Sequence, residues 1–380
     1  MEAPKTREYF LDYSKSIILL GMMMVHILEE WPTAATQTDA VFFLLFSLGL
    51  LFGASAFMLS MGWTFNYARN LTPRTLARRG LGLLGMAYVL NVCRGFTYLF
   101  SGDMYTILFE LLVPDIMQFA GLAMLVFAAA MAARIKVWVL PAAAIVLTAV
   151  GYYCGPYLPL TGDVERAPLG IAAAKYLLGT TYYTGYYFSF FPLLNWLVFP
   201  AVGYWVGGMY LRAKQQGRDR AFMQRACVIG YAIFAVLFVA DHFWDNLLVG
   251  LVSYDTFLQL GHNACVDFIY DVPPLDAVFT SAFIVATFAA LKLIIDAVKR
   301  CRPGETRLDR YAAAFSRNIN NVYIIQWLII LNFAYPLKAL NAELDTLGVW
   351  LSWLAVTAAT IALTYLWDKH QRKKRPQKLA

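Results

Sequence analysis

The first apolar segment of the chain carries ionisable side chains of three kinds. Asp12, Lys15 and His26 bring a carboxylate, an ammonium and an imidazole into an otherwise hydrophobic stretch, and Arg7 lies just ahead of it. Each of these groups is costly in hydrocarbon, so a helix that served only as an anchor would lack them. A neutral imidazole that faces a cavity can remove a proton from an attacking hydroxyl or amine. The segment is therefore predicted to take part in chemistry.

On an α-helix these side chains share one face. Successive residues are rotated by about 100°, which brings Asp12, Lys15, Leu19 and His26 within about 60° of one another. With a rise of about 1.5 Å per residue, Asp12 and His26 are roughly 21 Å apart, so they line one passage at two depths. In the alternative interpretation, Asp12 and Lys15 lie in the headgroup layer and His26 makes a structural hydrogen bond between helices.

Other polar residues interrupt the later apolar segments. They are Arg94; Glu110, Asp115 and Gln118; Asp241, His242, Asp245 and Asn246; and Arg317, Asn318, Asn320, Asn321, Tyr323 and Gln326. So many costly groups imply an interior that is hydrated or lined by substrate.

The sequence lacks the motifs of several other kinds of site. His242 has carboxylates beside it, but no HExxH or histidine-rich spacing supports a metal site. The five cysteines are odd in number and have no CxxC spacing, so neither a disulfide framework nor a thiolate metal site is indicated. Glycine-rich nucleotide loops and a GxSxG turn are also missing from the sequence. General base chemistry by an imidazole remains, and no metal is predicted.

Composition indicates a membrane protein. Of the 380 residues, 60% are hydrophobic and only 14% are charged, and the mean hydropathy is +0.56, so polar residues are too few to cover a water-soluble globule. We therefore expect an all-α polytopic membrane protein with a single transmembrane domain over residues 1–380. Apolar runs long enough to cross about 30 Å of hydrocarbon predict ten spans, at 14–31, 41–66, 80–101, 116–133, 136–154, 188–211, 222–244, 275–298, 313–334 and 346–367.

Lysine and arginine concentrate in alternate loops. They are frequent before span one and after spans two, four, six and eight, and again in the basic tail, 368–380. Because cytoplasmic loops are enriched in these residues, both termini are predicted to be cytoplasmic. The net charge of +7 is then a topology signal, and it does not indicate nucleic acid as a partner. The loop pattern fits a bacterial cytoplasmic membrane, and an organellar membrane is left open.

Four stretches resemble elements of a superfamily of membrane acyltransferases. "REYFLDYSKSIILLGMMMVH", from Arg7, resembles the R-xxx-LD-xx-[RK] opening, with a later histidine, of the acyltransferase-3 family and of the relatives of heparan-alpha-glucosaminide N-acetyltransferase. Three further elements are similar to "DIMQFAGLAML" from Asp115, "FFPLLNWLVFPAVGYWVGGMYL" from Phe190 and "SRNINNVYIIQW" from Ser316. The matches occur in order and extend to Trp327.

The resemblance implies an activity and a set of motif positions. Members transfer an acyl group, typically acetyl from acetyl-CoA on the cytoplasmic side, to an acceptor that is often a glycan. Arg7, Asp12, Lys15 and His26 carry over as the motif positions, with His26 the catalytic residue. The late histidine of the family is Gln326 here, so a mechanism with two histidines is not assumed. Transfer to oxygen and transfer to nitrogen both remain open.

These expectations combine into a mechanism. His26 acts as general base, Asp12 lies on the same helix face, and Arg94 or Gln326 stabilises the oxyanion; an acyl-histidine intermediate is a variant. The residues expected to hold acetyl-CoA are Arg7, Lys15, Arg74, Arg78 and Arg79, although the positive-inside bias alone would also explain the last three. The residues expected to contact the acceptor are Asp241, His242, Asp245, Tyr186, Tyr187, Asn321 and Gln326. The tyrosines equally fit an interfacial aromatic belt.

A secondary transporter of a glycan, lipid or organic acid is the alternative function. Ten spans with charges at mid-depth would also suit transport. Paired helices interrupted by glycine or proline in matching halves would favour it, and the sequence shows no such pattern. Membrane lipids are the other expected partners, and a homodimer is left open.

Overall fold

The computed structural model of the chain describes residues 7–31, 53–68, 71–94, 96, 111, 114–154, 191–249, 272–340 and 344–374. The described residues form an all-helical bundle. Its helices are α1 (Tyr9–Glu30), α2 (Ala54–Phe65), α3 (Pro73–Arg94), α4 (Ile116–Ala132), α5 (Val139–Cys154), α6 (Leu193–Trp196), α7 (Val198–Gln215), α8 (Asp219–Val249), α9 (Pro274–Cys301), α10 (Arg307–Arg317), α11 (Ile319–Ala339) and α12 (Thr346–Lys374).

Each predicted span overlaps a helix in this part of the chain. Four described helices are long and apolar enough to cross a membrane, namely Tyr9–Glu30, Asp219–Phe238, Pro274–Cys301 and Thr346–Gln371. Shorter apolar helices cover Ile116–Ala132, Val139–Tyr152 and Ile319–Ala334. The expectation of an all-helical membrane protein is therefore confirmed, whereas the number of ten spans and the side on which the termini lie stay predictions.

The ninth predicted span, 313–334, is divided by a break. Asn318 separates the short helix α10 from α11. A capping box starts α10, because the Thr306 hydroxyl accepts from the Asp309 backbone N–H at 3.1 Å and the Asp309 carboxylate accepts from the Thr306 N–H at 2.7 Å. The helix buries Ala313 against the bundle and exposes Tyr311. The apolar span therefore begins at α11, and α10 is a separate amphipathic helix.

Helix α1 lies at the centre of the packing. It packs against α2, α9, α10, α11 and α12. Helix α11 runs alongside it in the same direction, since Val322 packs with Leu19 in one apolar cluster and the Trp31 indole further along donates to the carbonyl of Ile330 at 2.9 Å. This alignment brings the polar side chains of α11 to the same depth as those in the second half of α1.

Helices α2 and α7 approach each other at backbone distance. A Cβ atom built on Gly62 would overlap the backbone carbonyl of Pro200, and one on Gly203 would overlap that of Leu59. Only residues without a side chain permit such an approach. Helices α2 and α7 therefore pack closely, and the first turn of α1 packs against both of them.

Candidate active site

His26 lies near the end of α1 and packs against two aromatic side chains of α11. Its imidazole stacks on the indole of Trp327, with ring centroids 4.0 Å apart and planes inclined by 30°, and Tyr323 approaches edge-on with centroids 6.2 Å apart. The imidazole is half-buried. Its Nδ1 atom is fully buried and has no hydrogen-bond partner in the described part of the chain. The ring is thus held by stacking, and Nδ1 is not used for a bond between the described helices.

A buried ion pair lies behind this stack. Arg94, the last residue of α3, donates from Nη1 to Oδ2 of Asp115 at 2.5 Å, and the two side chains are only 4% and 10% exposed. The Tyr323 hydroxyl donates to the same oxygen at 2.9 Å, and the guanidinium carbon of Arg94 lies 5.0 Å from the centroid of the Trp327 ring. The pair therefore joins α3, α4 and α11 around the ring that stacks on His26.

Asp115 occupies this position because it caps α4. Its Oδ1 accepts from the backbone N–H of Ile116 at 2.6 Å, and the side chain of Gln118 accepts from the Asp115 N–H at 3.1 Å. Such a capping box satisfies N–H groups that the start of a helix leaves without intrahelical partners. Local sequence thus sets the carboxylate at the start of α4, while the tertiary fold supplies its cation from α3.

Several buried polar atoms on α4 and α11 make no hydrogen bond to any described residue. They are Oε1 and Nε2 of Gln326, Nε1 of Trp327 and Nε2 of Gln118. Buried polar atoms are normally paired, and each one left unpaired costs about 1–3 kcal/mol. Three of these atoms belong to Gln326 and Trp327 of α11, and Trp327 is the residue that stacks on His26. This part of α11 is therefore suited to a polar ligand, with the Gln326 amide able both to donate and to accept.

The opposite end of α1 is cross-linked by ion pairs. Arg7 donates to both carboxylate oxygens of Asp12, at 2.6 and 3.1 Å, and to a backbone carbonyl of α10 at 3.1 Å. The hydrogen bond with Asp12 raises the pKa of Arg7. Glu8 forms an ion pair with Lys214 of α7. We call this region, together with Lys299 of α9, the basic end.

Helix α10 is fastened to the basic end through Asp309. Its carboxylate pairs with Lys299 at 2.9 Å and accepts from the Tyr13 hydroxyl at 3.0 Å. Burial on its own would raise the pKa of Asp309, but hydrogen bonds from Thr306, Lys299 and Tyr13 outweigh it and lower the pKa to about 2. The short helix is therefore held by a charge network rather than by an apolar face alone.

The residues predicted for the chemical step fall in both regions. His26 and Arg94 meet at Trp327, and Gln326 is the preceding residue on α11. Asp12 belongs to the basic end, roughly 21 Å from His26 along α1, and its carboxylate is occupied by Arg7. The structure thus brings three of the four predicted residues to one region and leaves Asp12 at the other.

The residues predicted to hold the acyl donor lie toward the basic end. Lys15 is half-buried one turn along α1 from Asp12, and α3 exposes its arginines in its first two turns. These arginines are Arg74, Arg78 and Arg79. Whether they hold a donor is still a prediction.

The residues predicted to contact the acceptor are described only in part. Asn321 is half-buried on α11 and donates to Asn318 at 3.4 Å. Tyr186 and Tyr187 lie outside the described residues, as do the side chains of Asp241, His242 and Asp245 on the last turns of α8. In the ranges that are described, no three His, Cys, Asp or Glu side chains form a group that could hold a metal ion.

Sequence reasoning did not assign Asp115, Tyr323 or Trp327 to the site. Asp115 and Tyr323 stood out only as polar groups in apolar segments, and Trp327 only as the end of a motif. Tyr323 and Trp327 are four residues apart, which puts both rings on one face of α11. This spacing was the only sequence feature that could have indicated that the two residues act together. Nothing local indicated that this face would meet His26.

The comparisons with known proteins point to one family. The sequence profile described as heparan-alpha-glucosaminide N-acetyltransferase, catalytic, matches residues 7–239, which is more than half of the chain. The matched region contains His26, Arg94 and Asp115, whereas Tyr323 and Trp327 lie beyond it. Among curated protein sequences, none matches this chain. Because the profile covers most of the described bundle up to α8, the chain belongs to the heparan-alpha-glucosaminide N-acetyltransferase catalytic family of membrane acetyltransferases.

Proposed function

We propose that this protein transfers an acetyl group from acetyl-CoA to a hydroxyl or amine of an envelope glycan or a similar acceptor, with His26 as the general base. The observation that carries the proposal is the state of His26. Its ring is fixed by stacking on Trp327, and its buried Nδ1 has no partner in the described structure. A fixed imidazole with an unused nitrogen is what proton removal requires.

The reaction balances without a further reactant. The acceptor oxygen or nitrogen attacks the thioester carbonyl carbon while its proton passes to His26. The C–S bond then breaks, and the imidazolium returns the proton to the departing CoA sulfur. One C–O or C–N bond replaces one C–S bond, and the products are the acetylated acceptor and CoA.

The side chain of Gln326 suits the negative charge that develops on the carbonyl oxygen. The Gln326 amide is fully buried and makes no bond to the described residues, so its Nε2 can donate to that oxygen at no cost to the fold. Arg94 is already paired with Asp115, and we assign it to positioning Trp327 beneath the imidazole. Preorganised donors of this kind typically lower the activation barrier by about 2.7–4 kcal/mol.

The donor and the acceptor would approach from opposite ends. Cations at the basic end, including Arg7 and Lys15 and the arginines of α3, suit the phosphates of acetyl-CoA. The acceptor would enter beyond His26, where Asn321 and the predicted acceptor contacts of α8 and the 182–188 stretch are candidates. We place the protein in a bacterial cytoplasmic membrane with its basic side in the cytoplasm, on the charge bias of its loops.

The test is transfer of radiolabelled acetyl from acetyl-CoA, added on the basic side of membrane vesicles. We expect His26→Ala and His26→Gln to lower transfer to acceptor by about 10²–10⁴-fold, the usual contribution of a general base. His370→Ala is the matched control, since His370 is exposed near the end of α12. Full transfer by His26→Ala would refute the role of His26. Solute uptake without acetyl-CoA, and no transfer by the native protein, would favour a transporter instead.

A further inference from the structure

A cavity of about 420 Å³ opens at the basic end between the start of α8 and the end of α9. It is lined by Arg220, Asp296, Lys299 and Arg300. This volume falls within the range of roughly 300–1,000 Å³ that is typical of small-molecule sites. The cavity lies apart from His26, and none of the residues predicted from the sequence to bind substrate or to take part in catalysis lines it.

The charge of the cavity is strongly positive. Its single carboxylate, Asp296, is already paired with Lys292 behind it, at 2.5 and 2.7 Å. Lys292 is itself buried and lies 4.0 Å from Asp219 at the start of α8. The same contacts that neutralise Asp296 therefore also hold the two walls of the cavity together.

Two arginines of the lining are left for a ligand. Arg220 and Arg300 are exposed, and neither takes part in an ion pair or hydrogen bond within the described residues. Lys299 pairs with Asp309, so its charge is shared. Two guanidinium groups that converge on an open cavity match the planar, bidentate recognition of phosphate oxygens.

We infer that this cavity binds a phosphate group of a phosphorylated ligand. The inference rests on the proposed function where that ligand is the nucleotide half of CoA, and a phospholipid headgroup is the other source of the same chemistry. Lys299 connects the cavity to the start of α1, because its Nζ lies 4.1 Å from the Tyr9 ring centroid. A phosphate here would therefore lie at the end of the bundle from which the donor is proposed to enter.

The arginines of this cavity differ in their arrangement from the exposed arginines of α3. Arg74, Arg78 and Arg79 project from the surface of a helix, and the sequence alone made them the leading candidates for phosphate binding. Arg220 and Arg300 come from two helices and share one cavity. A ligand in the cavity can therefore contact cations of two helices at once.

The experiment is calorimetric titration of the full-length protein in nanodiscs with free CoA, 3′-dephospho-CoA and pantetheine. We expect Arg220→Gln and Arg300→Gln each to weaken CoA binding by about tenfold or more, since each removes a charge-assisted hydrogen bond, and to leave pantetheine binding unchanged. Arg225→Gln on α8 and Arg302→Gln after α9 are matched controls, because both are exposed and neither lines the cavity. Free CoA carries no acetyl group, so the result does not depend on transfer or on His26.

A second arm separates the two sources of phosphate. Thermal unfolding is compared in nanodiscs of phosphatidylglycerol and of phosphatidylcholine. Stabilisation by phosphatidylglycerol that Arg220→Gln and Arg300→Gln abolish would support the cavity with a lipid headgroup as ligand. The inference is overturned if these variants alter neither CoA binding nor the lipid effect. If only the triple Arg74→Gln, Arg78→Gln, Arg79→Gln variant loses CoA binding, CoA is excluded as the ligand of this cavity.

Discussion

The two ends of α1 treat their polar side chains in opposite ways. At the basic end, Arg7 and Asp12 satisfy each other and reach α10. At the other end, His26 is enclosed by aromatic rings and its Nδ1 finds no partner among the described residues, and the amide of Gln326 is in the same state. At one end of α1, Arg7 and Asp12 are therefore bonded to each other, whereas the polar atoms of His26 and Gln326 at the other end include some without a partner among the described residues.

This difference separates a structural role from a chemical one. A polar group whose bonds are all made within the protein has little capacity left for a substrate, and it stabilises the arrangement that it bridges. A buried polar group without a partner costs stability, and such costs are tolerated mainly at functional sites. We therefore expect removal of the Asp12 carboxylate to alter stability and changes around His26 to alter transfer. The Arg94–Asp115 pair is the exception, because it lies beside the Trp327 that stacks on His26 and yet its two charges are paired.

The largest effect on stability is expected from Arg94→Met. It leaves the buried carboxylate of Asp115 without its cation, which typically costs about 3–5 kcal/mol of unfolding free energy. The measurement is an unfolding titration in mixed micelles. Arg74→Met, an exposed cation on the same helix, is the control and should stay within about 0.5 kcal/mol of the native protein.

A second variant tests the cause of that loss. Asp115→Asn keeps an acceptor at the cap of α4 but removes the charge, so Arg94→Met combined with Asp115→Asn should regain most of the stability. If the double variant is no more stable than Arg94→Met, the loss does not come from an unpaired carboxylate.

The next effect concerns the ion pair at the basic end. Asp12→Asn removes charge-assisted hydrogen bonds from Arg7 and should cost about 1.5–3 kcal/mol of unfolding free energy. Because Asp12 is roughly 21 Å from His26, we expect kcat and its pH profile to stay unchanged. A double-mutant cycle with Arg7→Gln measures the coupling between the two residues. A large fall in kcat with unaltered stability would instead show that Asp12 takes a direct part in the reaction.

A comparable effect depends on pH. Asp309 has a pKa lowered from 3.8 to about 2, so it binds a proton less readily in the folded than in the unfolded protein. Its contribution, about 2 kcal/mol, is present above the unfolded pKa and is lost as the pH falls from about 4 through about 2. Stability curves against pH should therefore converge at low pH for the native protein and Asp309→Asn. Parallel curves would contradict this assignment.

The smallest expected effect is that of Trp327→Phe. A smaller ring keeps apolar contact with His26 but loses part of the stacking, which is worth about 0.5–1.5 kcal/mol. Transfer should fall by about two- to tenfold through kcat, with KM for acetyl-CoA little changed. Trp350→Phe on α12 is the matched control, because Trp350 meets Trp353 edge-on and does not contact His26. Equal losses from both substitutions would mean that Trp327 has no specific relation to the imidazole.

The fold was predictable at the level of class and segments. Hydrophobic runs located helices that the structure describes, because a chain in hydrocarbon must satisfy its backbone within each helix. The division at Asn318 was not predicted, since the apolar run alone could not show that the Thr306–Asp309 capping box starts a separate helix. Ten spans and the membrane orientation are still predictions.

Several residues of the site could be predicted from the sequence, but the residues that contact them could not. His26, Arg94 and Gln326 could be named from the cost of polar groups in apolar helices. Their neighbours Asp115, Tyr323 and Trp327 could not be assigned, because they approach His26 only when α3, α4 and α11 pack together. For the same reason, the sequence could not distinguish Asp12, which is paired, from His26, which is stacked.

By itself, the sequence determined that this chain is a helical membrane protein of an acetyltransferase family, because hydrophobicity and motif order are properties of local stretches of chain. The tertiary structure decided which polar groups are satisfied and which are not, since that depends on contacts between residues far apart along the chain. A carboxylate, an amide and an imidazole are each costly in an apolar helix. Only the neighbours that folding brings to each one decide whether it holds the bundle together or is left able to react.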